Sequence, residues 1–145
     1  MSDTADIPAG FEPVQRIQPH SFGGLVGPFY ARRADGELSL GLRIEERHLN
    51  SRGTCHGGLL ATMADIALGY ACAEANREGK NFVTIDLSVE YLAAARAGDW
   101  LHSEVRVLNA DTRTASATGH LCVGEVQIAR ISANFRMTRI PPPVR

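Results

Sequence analysis

One short loop and the apolar stretch after it carry the residues best able to do chemistry. The stretch from Asn50 to Asp65 reads NSRGTCHGGLLATMAD, in which His56, Gly57 and Gly58 open a run without proline. The first N–H groups of a helix lack partners within the helix and carry the positive end of its dipole. Glycines leave these groups uncovered, so a ligand oxygen or a developing oxyanion can approach them. A plain glycine helix start is the alternative, which this short run alone does not exclude.

Asp65 is an acidic residue within an apolar stretch, at a position where the hydrophobic pattern predicts a core residue. Its neighbours Ala64 and Ile66 are apolar, and no Lys or Arg lies three or four residues away to pair with it along a helix. A partly buried carboxylate costs free energy unless something partners it. Asp65 is therefore either satisfied by a group elsewhere in the fold or acts as a general base or nucleophile.

Other histidines and cysteines are weaker candidates. Cys55 and His56 are adjacent, and adjacent side chains do not form the hydrogen-bonded nucleophile–base pair that such catalysis needs. We therefore predict that His56 fixes the loop through its ring nitrogens. A conceivable metal cluster on neighbouring strands has a spacing that is not a zinc signature; it comprises His102, His120 and Cys122.

The elements that position these residues follow from the periodicity. From Gly57 to about Arg77 the pattern predicts one helix, apolar over most of its circumference and therefore enclosed by other structure. Alternation over 38–44 predicts a strand, joined by a turn to a first strand near 29–32. Four alternating stretches follow the helix: NFVTIDLSVEYL, DWLHSEVRVL, TRTASATGHLCV and EVQIARISANFRM. In the first of these, we predict one face for Val83, Ile85, Leu87 and Val89.

This order predicts an α+β fold, in which one long central helix is wrapped by a curved antiparallel sheet of about five to six strands. We predict an irregular N-terminal arm over 1–20, where three prolines fall, a single domain over 21–140 and a C-terminal tail over 141–145. One helix cannot cover such a sheet fully. An edge or a face is therefore expected to pair with a second copy.

Composition excludes several classes of protein. The chain has 145 residues and a net charge of -1, so it has no electrostatic footprint for nucleic acid or an anionic membrane. No run of apolar residues is long enough to span a bilayer, and the N-terminus lacks the apolar region of a signal peptide. Its 3 cysteines are unpatterned, which predicts a reducing, cytoplasmic location.

The loop and helix together resemble the hotdog-fold thioesterases of the PaaI-like group, over roughly residues 28 to 138. The resemblance rests on a joint pattern of asparagine, glycine, His-Gly-Gly and downstream aspartate at Asn50, Gly53, His56, Gly57, Gly58 and Asp65. It implies an enzyme that hydrolyses the thioester of an aromatic or medium-chain acyl-coenzyme A. It also implies no metal and no cofactor, since coenzyme A is part of the substrate.

The resemblance also implies roles. The Gly57 N–H would stabilise an oxyanion, Asn50 would assist at the thioester carbonyl, and Asp65 would activate water or attack directly. Thr84 falls where the family has a hydroxyl that orients the water or the acid. His56 joins this catalytic set as the residue that fixes the loop.

Substrate-binding candidates are the second glycine of the pair and two cations for the phosphates of coenzyme A: Gly58, Arg52 and Arg113. The family's frequent proline after the strand is replaced here by YLAAARAGD, which leaves the acyl preference open.

The spacing of two candidates predicts a dimer. Gly57 and Asp65 are eight residues apart, which is about 12 Å of helical rise. A reacting water must lie ~3 Å from both its base and the carbonyl carbon, with the oxyanion donors close by. We therefore predict a homodimer, able to pair further into a homotetramer, with antiparallel helices that bring Gly57 of one copy to Asp65 of the other.

Two alternatives belong to other functional classes. The first is a non-catalytic hotdog module that binds acyl-coenzyme A, and the second is a hotdog hydratase or dehydratase. A binding module has no use for a partly buried acid, so Asp65 favours the thioesterase.

Overall fold

The computed structural model describes residues 6–76 and 82–137, which form one long helix against a curved antiparallel sheet. The long helix α2 spans Gly57–Ala75, and a short helix α1 spans Phe22–Val26. The strands within the described residues are β1 (Glu12–Pro13), β2 (Tyr30–Ala34), β3 (Glu37–Arg43), β4 (Phe82–Tyr91), β5 (Trp100–Ala110), β6 (Thr114–Val123) and β7 (Val126–Met137). Their order in the sheet is β1-β2-β3-β5-β6-β7-β4. The predicted α+β arrangement is confirmed.

The N-terminal arm differs from the prediction. Within the described residues the sheet has 7 strands, because two residues of the supposedly irregular arm form β1 against β2. The ring of Phe11 packs edge-on against Trp100, with 5.1 Å between centroids, and this aromatic contact holds the arm on the sheet. Helix α1 was not predicted either. The predicted helix end at Arg77 and the tail over 141–145 lie outside the described residues.

Helix α2 buries one side and leaves the other half-exposed. The buried side packs on the sheet and comprises Leu59, Leu60, Met63, Ala64, Ala67, Leu68, Ala71 and Cys72. The predicted enclosure is therefore incomplete in the single chain, because Ile66 and Tyr70 are only half-buried. Asp65 lies on this same partly exposed side. No helix in the described residues combines the length and hydropathy needed to cross a bilayer.

A buried histidine, to which the sequence assigned no role, ties α1 to the segment after β3. His48 is 4% exposed. Its Nδ1 accepts a hydrogen bond from the Glu45 N–H at 2.9 Å, so the proton is on Nε2, which donates to the Val26 carbonyl at 2.7 Å. Burial is the main cause that lowers the pKa of His48 below its usual value.

This lowered pKa predicts a loss of stability in acid. The unfolded chain binds a proton at His48 more readily than the folded chain does. The free energy of unfolding should therefore rise with pH up to about pH 6.5, the ordinary pKa of histidine, and the contribution is lost as the pH falls below it. Urea unfolding at fixed protein concentration, over about pH 5 to 7.5, should show a shallower pH dependence in His48→Gln than in wild type. The exposed His20→Gln is the matched control; equal slopes in wild type and His48→Gln would contradict the assignment.

Candidate functional site

His56 starts the long helix. It is the N-cap residue of α2, and its Nδ1 accepts a hydrogen bond from the Gly58 N–H at 2.8 Å. The imidazole thus does what a Ser or Asp side chain usually does at a helix start. The Gly57 N–H donates to no acceptor among the described residues. It is therefore the free donor at this end of the helix, whereas the Gly58 N–H is already engaged.

Tyr91 is a site residue that sequence reasoning missed. Its hydroxyl donates to the Gly57 carbonyl at 2.8 Å, and its ring lies 3.1 Å from where a Cβ on Gly57 would be. Tyr91 is the last residue of β4, 34 positions from Gly57, so no local pattern announces the contact. The residues His56, Gly57, Gly58 and Tyr91 are called the helix-start cluster below.

Asn50 folds its own loop in the single chain. Its side-chain oxygen accepts hydrogen bonds from the N–H groups of Arg52 at 2.9 Å and Thr54 at 3.3 Å, while its amide donates to the Thr54 hydroxyl at 3.1 Å. Gly53 has a φ of +79°, a left-handed conformation that favours glycine. The loop is fastened at its end by a hydrogen bond from the Cys55 N–H to the Ala95 carbonyl. The role of Asn50 at a substrate carbonyl stays a prediction.

Asp65 meets Thr84. The Thr84 hydroxyl donates to Asp65 Oδ1 at 2.6 Å, and both residues are half-buried. No cation lies within ion-pair distance of Asp65 in the parts of the chain that the structure describes. The carboxylate is therefore oriented by a neutral donor, and Oδ2 is left for another partner. Asp65 and Thr84 are called the carboxylate cluster below.

A β-bulge aims Thr84 at the helix. Strict alternation predicted one shared face for Val83, Ile85, Leu87 and Val89, with Thr84 on the opposite face. Leu87 and Val89 are half-buried, so this face would be the core side. That prediction is wrong: the pairing of β4 with β7 shifts register between Thr84 and Asp86. Val83 and Ile85 are 42% and 58% exposed, and Thr84 faces α2. One extra residue in a strand re-aims the side chains around it, which is how bulges commonly serve sites.

The structure gathers the predicted residues into two clusters rather than one. The helix-start cluster and the carboxylate cluster are separated along α2, because Gly57 and Asp65 are eight positions apart, or about 12 Å. Arg52 lies exposed in the loop before the helix. Arg113 lies exposed on the β5–β6 hairpin, where its N–H donates to Asp111. Neither guanidinium contacts either cluster within the described residues.

Cys55, directly before the helix start, is a buried free cysteine. Burial raises the pKa of Cys55 to about 11, which keeps the thiol protonated and disfavours it as a nucleophile near neutral pH.

The conceivable metal cluster differs from the predicted one in one member. The ligand atoms of His102, Glu104 and Cys122 lie within 4.8 Å of one another, so Glu104 takes the place that the prediction gave to His120. Burial, and then the charge of Glu104, raise the pKa of the Cys122 thiol. We assign no function to this group.

The chain is similar to several known proteins. Residues 52–129 match the family model described as the thioesterase superfamily. A Pseudomonas aeruginosa protein whose name calls it an esterase is 41% identical over 133 residues, which cover 91% of this chain and 98% of that relative. The Escherichia coli acyl-coenzyme A thioesterase PaaI is 30% identical over 80 residues, which cover 55% of each chain. The crystal structure of zebrafish thioesterase superfamily member 2 superposes with a TM-score of 0.75 at 25% identity, over 82% of this chain and 88% of the other.

Proposed function

Since the chain belongs to the thioesterase superfamily, in its PaaI-like group of hotdog-fold proteins, we propose that it hydrolyses acyl-coenzyme A thioesters to a free acid and coenzyme A. The observation that carries the proposal is the carboxylate cluster, in which Asp65 is half-buried and held by the Thr84 hydroxyl. A carboxylate held this way keeps a basic oxygen for water or for the acyl carbon. The name of the Escherichia coli relative supports acyl-coenzyme A as the substrate class.

The proposed mechanism divides the work between the two clusters. The Gly57 N–H, at the positive end of the α2 dipole, stabilises the oxyanion that forms on the thioester carbonyl. Asp65 either takes a proton from the attacking water or attacks the acyl carbon itself, and Thr84 orients it. Collapse of the tetrahedral intermediate then releases the thiolate of coenzyme A. In the water route the free acid forms in the same step, whereas attack by Asp65 leaves an acyl–Asp65 anhydride that a water then hydrolyses to the free acid and the Asp65 carboxylate. Asn50 assists at the carbonyl.

The working site is assembled from two chains. One thioester cannot contact Gly57 and Asp65 of the same helix when they lie about 12 Å apart. An antiparallel pair of α2 helices brings Gly57 of one protomer to Asp65 of its partner and forms two equivalent sites. Two features support this assembly: α2 leaves its Asp65 side half-exposed, and the edge strand β4 exposes the apolar Val83 and Ile85.

Substrate binding follows from the same arrangement. Arg52 and Arg113 are exposed cations suited to the phosphates of coenzyme A. Gly58 contributes through its backbone beside Gly57, with its N–H engaged by His56 Nδ1. The acyl group that the family resemblance implies is aromatic or of medium chain length.

A thiol-release assay against aromatic, short-chain and medium-chain acyl-coenzyme A esters tests this function. We expect free coenzyme A and free acid in equal amounts from at least one of the aromatic or medium-chain substrates. An acyl-coenzyme A-binding module would bind a thioether analogue, which cannot be hydrolysed, and release no thiol from any ester. A hydratase would alter an enoyl-coenzyme A while leaving its thioester intact. Either of these outcomes would overturn the proposal.

Removing the hydroxyl of Thr84 should produce an intermediate defect. Thr84→Val keeps the shape but loses the donor to Asp65, and a hydrogen bond to a charged group contributes enough to lower kcat roughly 10- to 100-fold. Thr84→Ser keeps a hydroxyl and should stay close to wild type. Steady-state kinetics on the three proteins measures the difference. A Thr84→Val defect as large as that of Asp65→Asn would mean that the hydroxyl, rather than the carboxylate, has the leading role.

A further inference from the structure

One peptide group at the start of α2 is held at both of its ends. The carbonyl of Gly57 accepts a hydrogen bond from the Tyr91 hydroxyl at 2.8 Å. The N–H of Gly58 belongs to the same peptide group and donates to His56 Nδ1, also at 2.8 Å. Two side chains from different elements therefore bind the oxygen and the nitrogen of a single planar unit.

This double contact adds to the hydrogen bonds of the helix itself, in which the N–H groups of Leu59 and Leu60 donate to the His56 carbonyl at 3.0 and 3.2 Å. Glycine has the widest conformational freedom of any residue, and the N–H groups of a first helical turn are not fixed by bonds within the helix. Only the φ and ψ rotations of Gly57 lie between the Gly57–Gly58 peptide and the Gly57 N–H. The His56–Gly57 peptide, which carries the free N–H, is held at its carbonyl by Leu59 and Leu60. Holding the next peptide as well restricts the two rotations of Gly57 and so narrows the range of directions open to the free N–H.

We infer that Tyr91 is a positioning residue, which together with His56 clamps the Gly57–Gly58 peptide so that the Gly57 N–H stays aimed at the oxyanion. This inference rests on the proposed function and deepens it. Donors stabilise a transition state most when they are aimed before the reaction begins, because no free energy is then spent on reorienting them. Tyr91 acts through the backbone and does not touch the reacting atoms.

The position of Tyr91 adds a consequence for the assembled site. Strand β4 carries Thr84 at one end and Tyr91 at the other. It therefore supports the carboxylate cluster with one residue and the helix-start cluster with the other. Because each site takes these two clusters from different protomers, the β4 strand of each protomer serves both sites of the dimer.

Tyr91→Phe distinguishes the effect of the Tyr91 hydrogen bond from the effect of the packing of its ring on Gly57. The variant keeps the ring that covers Gly57 and loses only the hydroxyl. We expect kcat to fall about three- to tenfold, the effect of one neutral hydrogen bond, with KM nearly unchanged. Tyr30→Phe is the matched control: it deletes the same atom from a ring that packs against Trp100, away from α2. It should leave both constants at their wild-type values.

A double-mutant cycle tests whether Tyr91 and His56 act on the same peptide. His56→Ala removes the hydrogen bond at the Gly58 end. Both contacts restrain the same planar unit, so once either is lost the loss of the other should have a smaller effect than it has alone. We expect the fold-loss in kcat of the double variant to be clearly smaller than the product of the two single losses. Losses that simply multiply would contradict a shared clamp.

Amide order parameters from ¹⁵N relaxation supply a readout independent of activity. Those of Gly57 and Gly58 should fall in Tyr91→Phe and stay at wild-type values in Tyr30→Phe. Unchanged order parameters in Tyr91→Phe would overturn the clamp, whether or not kcat falls, since a hydroxyl that alters only kcat acts on the substrate. Should wild type hydrolyse no acyl-coenzyme A, the proposed function fails and the order parameters alone decide the clamp.

Discussion

Asp65→Asn should abolish nearly all hydrolysis while leaving the fold intact. The amide matches the carboxylate in shape, and its oxygen can still accept the hydrogen bond that Thr84 donates to Oδ1. It cannot take a proton from water or attack an acyl carbon. General-base catalysis alone contributes on the order of 10²–10⁴ in rate, so we expect a loss of kcat in that range or beyond.

Steady-state thiol release, with circular dichroism as the folding check, measures this loss. Asp86→Asn is the matched control, because Asp86 lies on β4 close to Thr84 but is exposed and accepts a hydrogen bond from Asn134. It should retain wild-type activity. If folded Asp65→Asn retained more than about a tenth of wild-type kcat, Asp65 would be neither base nor nucleophile.

Gly57→Pro is expected to lower kcat by about 10²–10³, the usual effect of losing one oxyanion donor. The backbone accommodates proline at this position. Gly57 is the first residue of α2, where proline is well tolerated, and its φ is not in the left-handed region. His56 before it has φ -62° and ψ 133°, the extended conformation that a residue preceding proline requires.

Gly57→Ala is the control that separates the lost donor from the added atoms. It keeps the N–H and adds a Cβ that meets the Tyr91 ring at 3.1 Å, so the exposed ring must shift by a few tenths of an ångström. Both variants add bulk toward Tyr91, and only the proline removes the donor. We expect kcat of Gly57→Ala to lie well above that of Gly57→Pro. Equal kcat values would show that crowding at Tyr91, rather than loss of the N–H, causes the defect.

The helix, most of the sheet and the acid could be predicted because their signals are local. The apolar period of α2 and the alternation of the strands are each contained within their own segments, and Asp65 stands out against its immediate neighbours. The two-residue β1 was missed because it forms through the arm's contact with β2 and Trp100, and not through any alternation of its own.

Alternation along β4 did not predict the orientation of Thr84, which only the family resemblance placed near the acid, and the sequence did not predict the contact of Tyr91 at all. The bulge beside Thr84 is a mismatch between β4 and a strand some fifty residues later, and alternation read along β4 alone gives the opposite face. The Tyr91 hydrogen bond joins a strand end to a helix start, so neither segment shows it separately. The role of His48 was missed for the same reason, because one of its two hydrogen-bond partners lies 22 residues away and the other 3.

The central claim, that each site takes Gly57 from one protomer and Asp65 from its partner, is tested most directly with a mixed dimer. Chains carrying Gly57→Pro and chains carrying Asp65→Asn, each with a different affinity tag, are refolded together, and the doubly tagged dimer is isolated and verified by mass. The claim predicts one intact site and one doubly altered site, hence about half the activity of a tagged wild-type dimer, from two chains that are nearly inactive alone. If Gly57 and Asp65 of one chain form the site, every site in the mixed dimer keeps one lesion. A verified mixed dimer as inactive as its two parents would contradict the claim.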